Sequence, residues 1–466
     1  MDFTTLIFWQ TMLPAMAVIF LGWYALKEYS FRSAFAKYSM AFLSLFLLFV
    51  TTVETLIIFL VVILLTYAGC HIGKKLQGYQ RKLFQTLLIV LQLLPLLYYK
   101  YANFIANDVC QQEWDTVRNL VIPIGISFYT FQSIAFCIDT LRDQQRIPKF
   151  IDYLNFCSFF PQIVAGPIER RSSLLPQMEN LRLSWDSQNM VAGLPFVVLG
   201  LFYKMVMANN LSAGMLNGYA GENAFPIWVN NVCFGFRIYF DFAGYGLTAY
   251  GIAKCLGINI TMNFLSPYTC CNISDFWRNW HRSLTLWFRD YIYFSMGGSR
   301  TKLWWFNIIV MFLVSGIWHG AGWNFIIWGI LGGVTMVIHR IFSKRGYSLP
   351  RFLGWVLTFS VMMFIWMFFY EVNMDIVLSN LATVLNPSSY DIGGFISHLQ
   401  NHKSAGAIAV VFIPISFVTI FLEFLSTRKY ADPYRIFTKS HACMIMVVLI
   451  FMLYSHTPSQ FIYFAF

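Results

Sequence analysis

One histidine in this sequence stands where an ionisable ring is costly to keep, and a second lies beside a row of arginines. His319 lies in Ser315–Asn324, SGIWHGAGWN, between the apolar runs Leu303–Ile317 and Phe325–Ile338. A charged side chain at the centre of a membrane helix costs about 2.5–3.5 kcal/mol on insertion scales. An ionisable residue at that depth is therefore a functional candidate by default. Imidazole takes and returns a proton near neutral pH. Gly316, Gly320 and Gly322 surround it with backbone that has no side chain, so a helix or a substrate can approach closely. The competing reading is a packing histidine bonded to a nearby carbonyl.

His281 lies in Ile273–Phe294, ISDFWRNWHRSLTLWFRDYIYF. Trp277, Trp280, His281, Leu284, Trp287, Phe288 and Tyr291 recur there at helical spacing, with Arg278, Arg282, Thr285 and Arg289 as a second stripe. With Ser274 or Asp275 as N-cap, the stretch predicts one interfacial amphipathic helix, tryptophan on the apolar side and arginine on the polar side. Headgroup anchoring explains the Trp and Arg residues. The arginine face equally suits a phosphate-bearing donor, because guanidinium binds phosphate bidentately. His281 sits on the border between the stripes.

Two imidazoles beside an arginine-rich face suit acyl transfer from a thioester to a hydroxyl. One ring takes the hydroxyl proton while nearby donors stabilise the oxyanion. The sequence has no GxSxG, Walker loop, Rossmann fingerprint or HExxH, which argues against hydrolase, NTPase, dehydrogenase and zincin chemistry.

The elements that must hold these residues are membrane helices. The chain has 466 residues, 58% hydrophobic and 11% charged, against about 25% charged for a soluble protein; its mean hydropathy is +0.60. Many apolar runs reach the roughly 20 residues needed to cross a bilayer. The class is an all-α polytopic membrane protein, with residues 1–466 forming a single domain. The net charge of +11 lies in short loops, so orientation in the membrane explains it better than nucleic acid. Basic loops 27–37, 74–82 and 142–149 fall on the cytoplasmic side, which puts the N-terminus outside, and the pattern continues to about 12 crossings. The first run, Leu6–Leu26, reads as a retained span, and Met40–Cys70 breaks near Thr51-Thr52 into two. Tyr153–Leu175, interrupted by Pro161, Gly166 and Pro167, suits a re-entrant hairpin or a kinked interfacial helix. The nine cysteines show neither a disulfide framework nor a metal site.

The block YFDFAGYGLTAYGIAKCLGINITMNFLSPYTCCNISDFWRNWHRSLTLWFRDYIYFSMGGSR, followed by SGIWHGAGWNFIIWG, resembles the core of the membrane-bound O-acyltransferase (MBOAT) family. FFPQIVAGPIERR resembles an upstream motif of the family's bacterial alginate O-acetyltransferase-like branch, and the ending PSQFIYFAF its C-terminal signature. The core blocks fall between about residues 120 and 340, with further helices over 352–466. The resemblance implies an MBOAT fold of about 11–12 transmembrane helices plus re-entrant and interfacial helices, with a funnel from the cytoplasmic side and a histidine at depth. It implies His319 as catalytic base and His281 as the second functional histidine. Asp241, Tyr245, Trp277, Arg278, Trp318 and Asn324 fall at matched positions that shape the tunnel; with Arg282 and Arg289 they form the expected substrate and donor contacts. The chain departs from the pattern at Gly246-Leu247-Thr248, where an acidic residue is usual, at Phe294-Ser295-Met296 before the paired glycines, and at Ala465 in the tail.

The expected activity is O-acetyl transfer in a bacterial inner membrane, from a cytoplasmic donor such as acetyl-CoA to a cell-surface polysaccharide, with no bound cofactor or metal. A separate extracytoplasmic SGNH-hydrolase-like protein is the expected partner, alongside the polysaccharide acceptor and membrane lipids. The alternatives are D-alanyl transfer to teichoic acid from a charged carrier protein, and a lipid-linked glycan transporter without chemistry.

Overall fold

The computed structural model describes residues 3–112, 120–164, 166–216, 223–455 and 461. Among them the regular elements are helical and no strand occurs. Among the described residues eight helices are long and apolar enough to cross a membrane, and three shorter apolar helices, Trp304–His319, Met374–Leu385 and Ser440–Leu453, accompany them. Local sequence explains where they stop. The predicted break near Thr51-Thr52 falls at Thr52, whose extended backbone ends Arg32–Thr51. Its hydroxyl accepts from the Thr55 N–H at 3.1 Å to start Val53–Gly73, a Thr N-cap with Glu54 in the first turn.

The chain groups into two compact units, residues 1–197 with 248–262, and residues 198–247 with 263–466. In the first, several polar groups are paired as they leave the surface. Lys37 Nζ meets Asp152 Oδ1 at 2.5 Å, and Asn155 Nδ2 donates to the Lys37 carbonyl at 2.9 Å. The interrupted segment after Tyr153 is a helix Phe150–Ser158, one turn at Phe160–Ile163, an irregular stretch, and a helix Arg171–Glu179. Residues 152–164 and 166–169 of it are all buried. Glu169, 1% exposed, accepts from the Thr261 N–H, and Arg171 donates to Thr140 Oγ1 at 2.6 Å. Burial of this kind fits irregular backbone enclosed by protein rather than a helix lying on a surface.

The second unit is organised around the hairpin Trp304–His319 and Trp323–Lys344. Glycine lets the two backbones touch. A methyl on Gly316 would collide with the Phe325 carbonyl oxygen, and one on Gly329 would lie 2.6 Å from that of Phe312. The same unit holds the stretch expected to form one helix over 273–294, and here the structure corrects the sequence reading. Ile273–Asn279 is a helix, Trp280 is extended, His281 is left-handed (φ 40°, ψ 56°), and a second helix runs over Arg282–Phe288 into a wide turn at Arg289–Tyr293. The N-cap is Asn272, whose side chain accepts from the Asp275 N–H at 2.8 Å; neither Ser274 nor Asp275 fills that role. The break is sustained because a neighbouring loop supplies the bonds a helix would have made. The Arg282 N–H goes to the Asn263 carbonyl at 2.9 Å, the Ser283 N–H to Asn263 Oδ1 at 3.2 Å, and Asn279 accepts from the Leu265 N–H at 3.1 Å.

Candidate active site

His319 is the last residue of its helix. Gly320 and Gly322 then run extended (φ −162° and −175°) before the return helix starts at Trp323. The ring is 4% exposed and is walled by aromatics, with Trp318 at 4.8 Å, Trp328 at 5.0 Å and Phe369 at 5.2 Å between centroids. His281, 2% exposed, packs edge-on against Phe242 at 4.6 Å and against Trp318 at 5.9 Å. Trp318 thus touches both rings. A cleft of about 460 Å³, counting its open part, is lined by His281, His319, Trp277, Trp280, Trp328, Leu284, Phe288, Phe312, Met311, Met336, Ser315 and Thr285. Two imidazoles and two hydroxyls are set in an otherwise apolar wall, the usual composition of a small-molecule site.

His281 lies between two helices too short to cross a membrane. Burial pushes its pKa down from 6.5 to about 3, because a low-dielectric surrounding disfavours the charged ring. The surrounding therefore favours the neutral imidazole.

Comparison with known proteins bears on what this cleft does. The profile of the MBOAT, membrane-bound O-acyltransferase, family matches residues 4–379. The chain is 30% identical to the peptidoglycan O-acetyltransferase of Helicobacter pylori over 100% of this chain and 97% of that protein. It is 34% identical to the probable alginate O-acetylase of Azotobacter vinelandii over 67% of this chain and 64% of that protein. It is 29% identical to the teichoic acid D-alanyltransferase of Bacillus subtilis over 55% of this chain and 68% of that protein. The chain belongs to the membrane-bound O-acyltransferase family. It is an acyltransferase and a multi-pass membrane protein, which removes the reading as a transporter without chemistry.

For this acyltransferase, the structure gathers some of the expected residues and disperses others. His281, His319 and Trp277 line the cleft, and Trp318 lies directly behind it. Asn324 is fully buried at the start of the return helix, and neither atom of its amide has a hydrogen-bond partner among the described residues. Asp241 is not a cleft residue. It is 0% exposed and forms an ion pair with buried Lys204 at 2.6 Å, inside the wide turn Phe202–Ala208. Tyr245 packs at a tilt against Phe461, 4.7 Å between ring centroids. Phe461 also meets Phe242, so this one described residue of the C-terminal block joins the FDFAGYG block; the rest of that block, including Ala465, lies outside the described residues.

The arginines form no continuous stripe, because the break at His281 interrupts the helical register. Arg278 and Arg289 are exposed and pair with neighbours, Asp275 at 3.2 Å and Asp290 at 2.7 Å, while Arg282 is half-buried. Trp328, Ser315 and Thr285 were missed as cleft residues. Ser315 falls one turn before His319, where helical spacing could have found it. Trp328 reaches His319 only because the chain turns back at Gly320–Gly322, which no single-helix periodicity contains.

Proposed function

We propose that this protein carries an acetyl group from a cytoplasmic thioester, acetyl-CoA, to a hydroxyl on the far side of a bacterial inner membrane, for O-acetylation of a cell-envelope or exported polysaccharide. The observation that carries the reading is that His319 and His281 line one largely apolar cleft. The whole-length likeness to a protein named peptidoglycan O-acetyltransferase favours an envelope glycan as the acceptor. In this mechanism the His319 ring takes the proton of the acceptor hydroxyl, the oxygen attacks the thioester carbonyl, and the ester C–O bond forms. The C–S bond then breaks and the thiolate leaves, receiving the proton from His319. Base catalysis of this kind supplies about 10²–10⁴-fold. His281, neutral at working pH, orients the acyl group as a hydrogen-bonding imidazole. The acceptor is the glycan itself or a serine of an extracytoplasmic SGNH-hydrolase-like partner that completes the transfer. An N-terminus outside and basic loops inside follow from the charge pattern.

D-alanyl transfer from a charged carrier protein is the second reading, favoured by the likeness to the teichoic acid D-alanyltransferase. Purified protein in lipid nanodiscs, given acetyl-CoA labelled in the acetyl group or a D-alanyl carrier protein, separates the two. Label accepted from acetyl-CoA supports the first reading, and label accepted only from the carrier replaces it with the second. In cells, His319→Ala at unchanged protein level is expected to abolish base-labile acetate on the envelope glycan. Unaltered ester content in that strain would defeat the catalytic assignment.

A further inference from the structure

The break that carries His281 needs something to hold it, and the second unit contains a buried group that does. Glu423 is 0% exposed, about two turns before the end of the helix Lys403–Tyr430. Its Oε1 accepts from Tyr203 Oη at 2.5 Å and from Tyr239 Oη at 2.7 Å, and its Oε2 accepts from Ser266 Oγ. Three hydroxyls converging on one carboxylate is an expensive arrangement to bury unless it fixes something.

What it fixes is the loop that starts at Asn263. Ser266 is held left-handed at φ 53°. Two residues earlier, the Phe264 carbonyl accepts from buried Tyr434 Oη at 2.9 Å. Two residues later, Tyr268 donates to the Gly235 carbonyl at 2.5 Å, and its own carbonyl accepts from Trp355 Nε1 at 2.8 Å. The other edge of the same loop bonds Asn279, Arg282 and Ser283, the residues flanking the break. Among the described residues, five non-glycine residues have positive φ, Gln111, Gln144, Ser266, His281 and Ala431. Only Ser266 and His281 of these five are buried, so among the described residues the buried left-handed non-glycine backbone belongs to this loop and the residue it holds. Such conformations persist only where surrounding structure over-determines them.

We infer that Glu423 is a positioning residue for His281, acting through Ser266 and the loop 263–269. The inference rests on the reading of His281 as a working group in acyl transfer. Glu423 touches neither the cleft nor its two histidines; it anchors the frame on which one of them is hung.

The test uses the full chain in nanodiscs with acetyl-CoA as probe, comparing Glu423→Ala, Glu423→Gln and Ser266→Ala. If the frame loosens, turnover of folded Glu423→Ala protein falls by up to about 100-fold, the loss expected for a catalytic group misplaced by about 1 Å. The KM for acetyl-CoA stays unchanged, because a positioning loss is felt in the transition state rather than in donor binding. Glu423→Gln keeps an acceptor for both tyrosines and recovers most of the turnover. Ser266→Ala removes one bond only and decides the matter if Glu423→Ala does not fold.

A second readout is independent of activity: carbethoxylation of His281 by diethylpyrocarbonate, followed by mass spectrometry, speeds up in Glu423→Ala and Ser266→Ala and not in Glu423→Gln. Wild-type turnover in the folded alanine variants, or a His281 as protected as before, overturns the inference. Should the wild-type protein accept nothing from acetyl-CoA, the donor assignment fails by itself, and the carbethoxylation rates still decide the positioning claim.

Discussion

The two histidines reach one cleft by opposite routes. His319 ends a regular helix, its backbone relaxed, and its place is set by two helices whose glycines let them pack backbone to backbone. His281 occupies a left-handed position between two helices of seven residues each, and its place is set by a loop bonded on both sides. The first ring is placed by regular structure, the second by interruption of it. A strained residue costs about 1–3 kcal/mol and tends to persist where function repays it. The two segments should therefore respond differently when their rings and backbones are changed.

The largest expected difference is chemical. Removing the proton acceptor with His319→Ala should lower turnover by about 10²–10⁴-fold. His281→Ala should lose less, since an orienting imidazole does not carry the proton. Turnover of the two purified variants on acetyl-CoA checks the order, and an equal or larger loss at His281 would exchange their roles. A third buried site bounds the comparison from the structural side. Asp241→Asn leaves Lys204 buried without its countercharge, which should cost about 3–5 kcal/mol. The measurement is thermal unfolding in detergent. A loss of activity at unchanged stability would return Asp241 to the cleft chemistry from which its geometry removes it.

Much of this contrast was legible in the residues. The SGIWHGAGWN stretch announces itself because a histidine between apolar runs has few ordinary explanations, and one of the glycines beside it, Gly316, is a close backbone approach in the structure. The break at Thr52 was legible because a β-branched hydroxyl residue is a good N-cap and a poor helix interior. The break at His281 was not. Its flanking residues keep perfect helical periodicity, and what wins over that periodicity is a set of hydrogen bonds from Asn263 and Leu265, which lie upstream in sequence and carry no pattern linking them to it. The Asp241 ion pair was hidden for the same reason: its partner Lys204 is distant in sequence and lies in a wide turn that composition does not disclose.

Acid should separate the two segments next. With a pKa of 6.5 in the unfolded chain and about 3 in the folded protein, His281 takes up its proton on unfolding throughout that interval. The unfolded state binds more protons there, so stability falls as the pH drops from about 6.5 towards about 3, and the contribution is constant above it. Other groups titrate in the same range, so the useful quantity is the difference between wild-type protein and His281→Gln. The pH dependence of thermal unfolding should be shallower in the variant, and identical slopes would mean the ring is hydrated in the folded protein.

The smallest effect isolates the backbone. Alanine and glycine both delete the ring, so the difference between them at one position reports only what the backbone prefers. At His319, in a helix, glycine should be less stable than alanine by up to about 1 kcal/mol, the ordinary helix penalty. At His281 the sign should reverse, because a left-handed conformation costs about 1–2 kcal/mol for a residue with a Cβ and nothing for glycine. Thermal unfolding of the four variants gives two differences of opposite sign if one histidine ends a helix and the other interrupts one. If glycine is the worse residue at both positions, the 273–294 segment is a continuous helix in the membrane after all. The loop at Asn263 would then have no break to hold, and the anchoring role of Glu423 would fall with it.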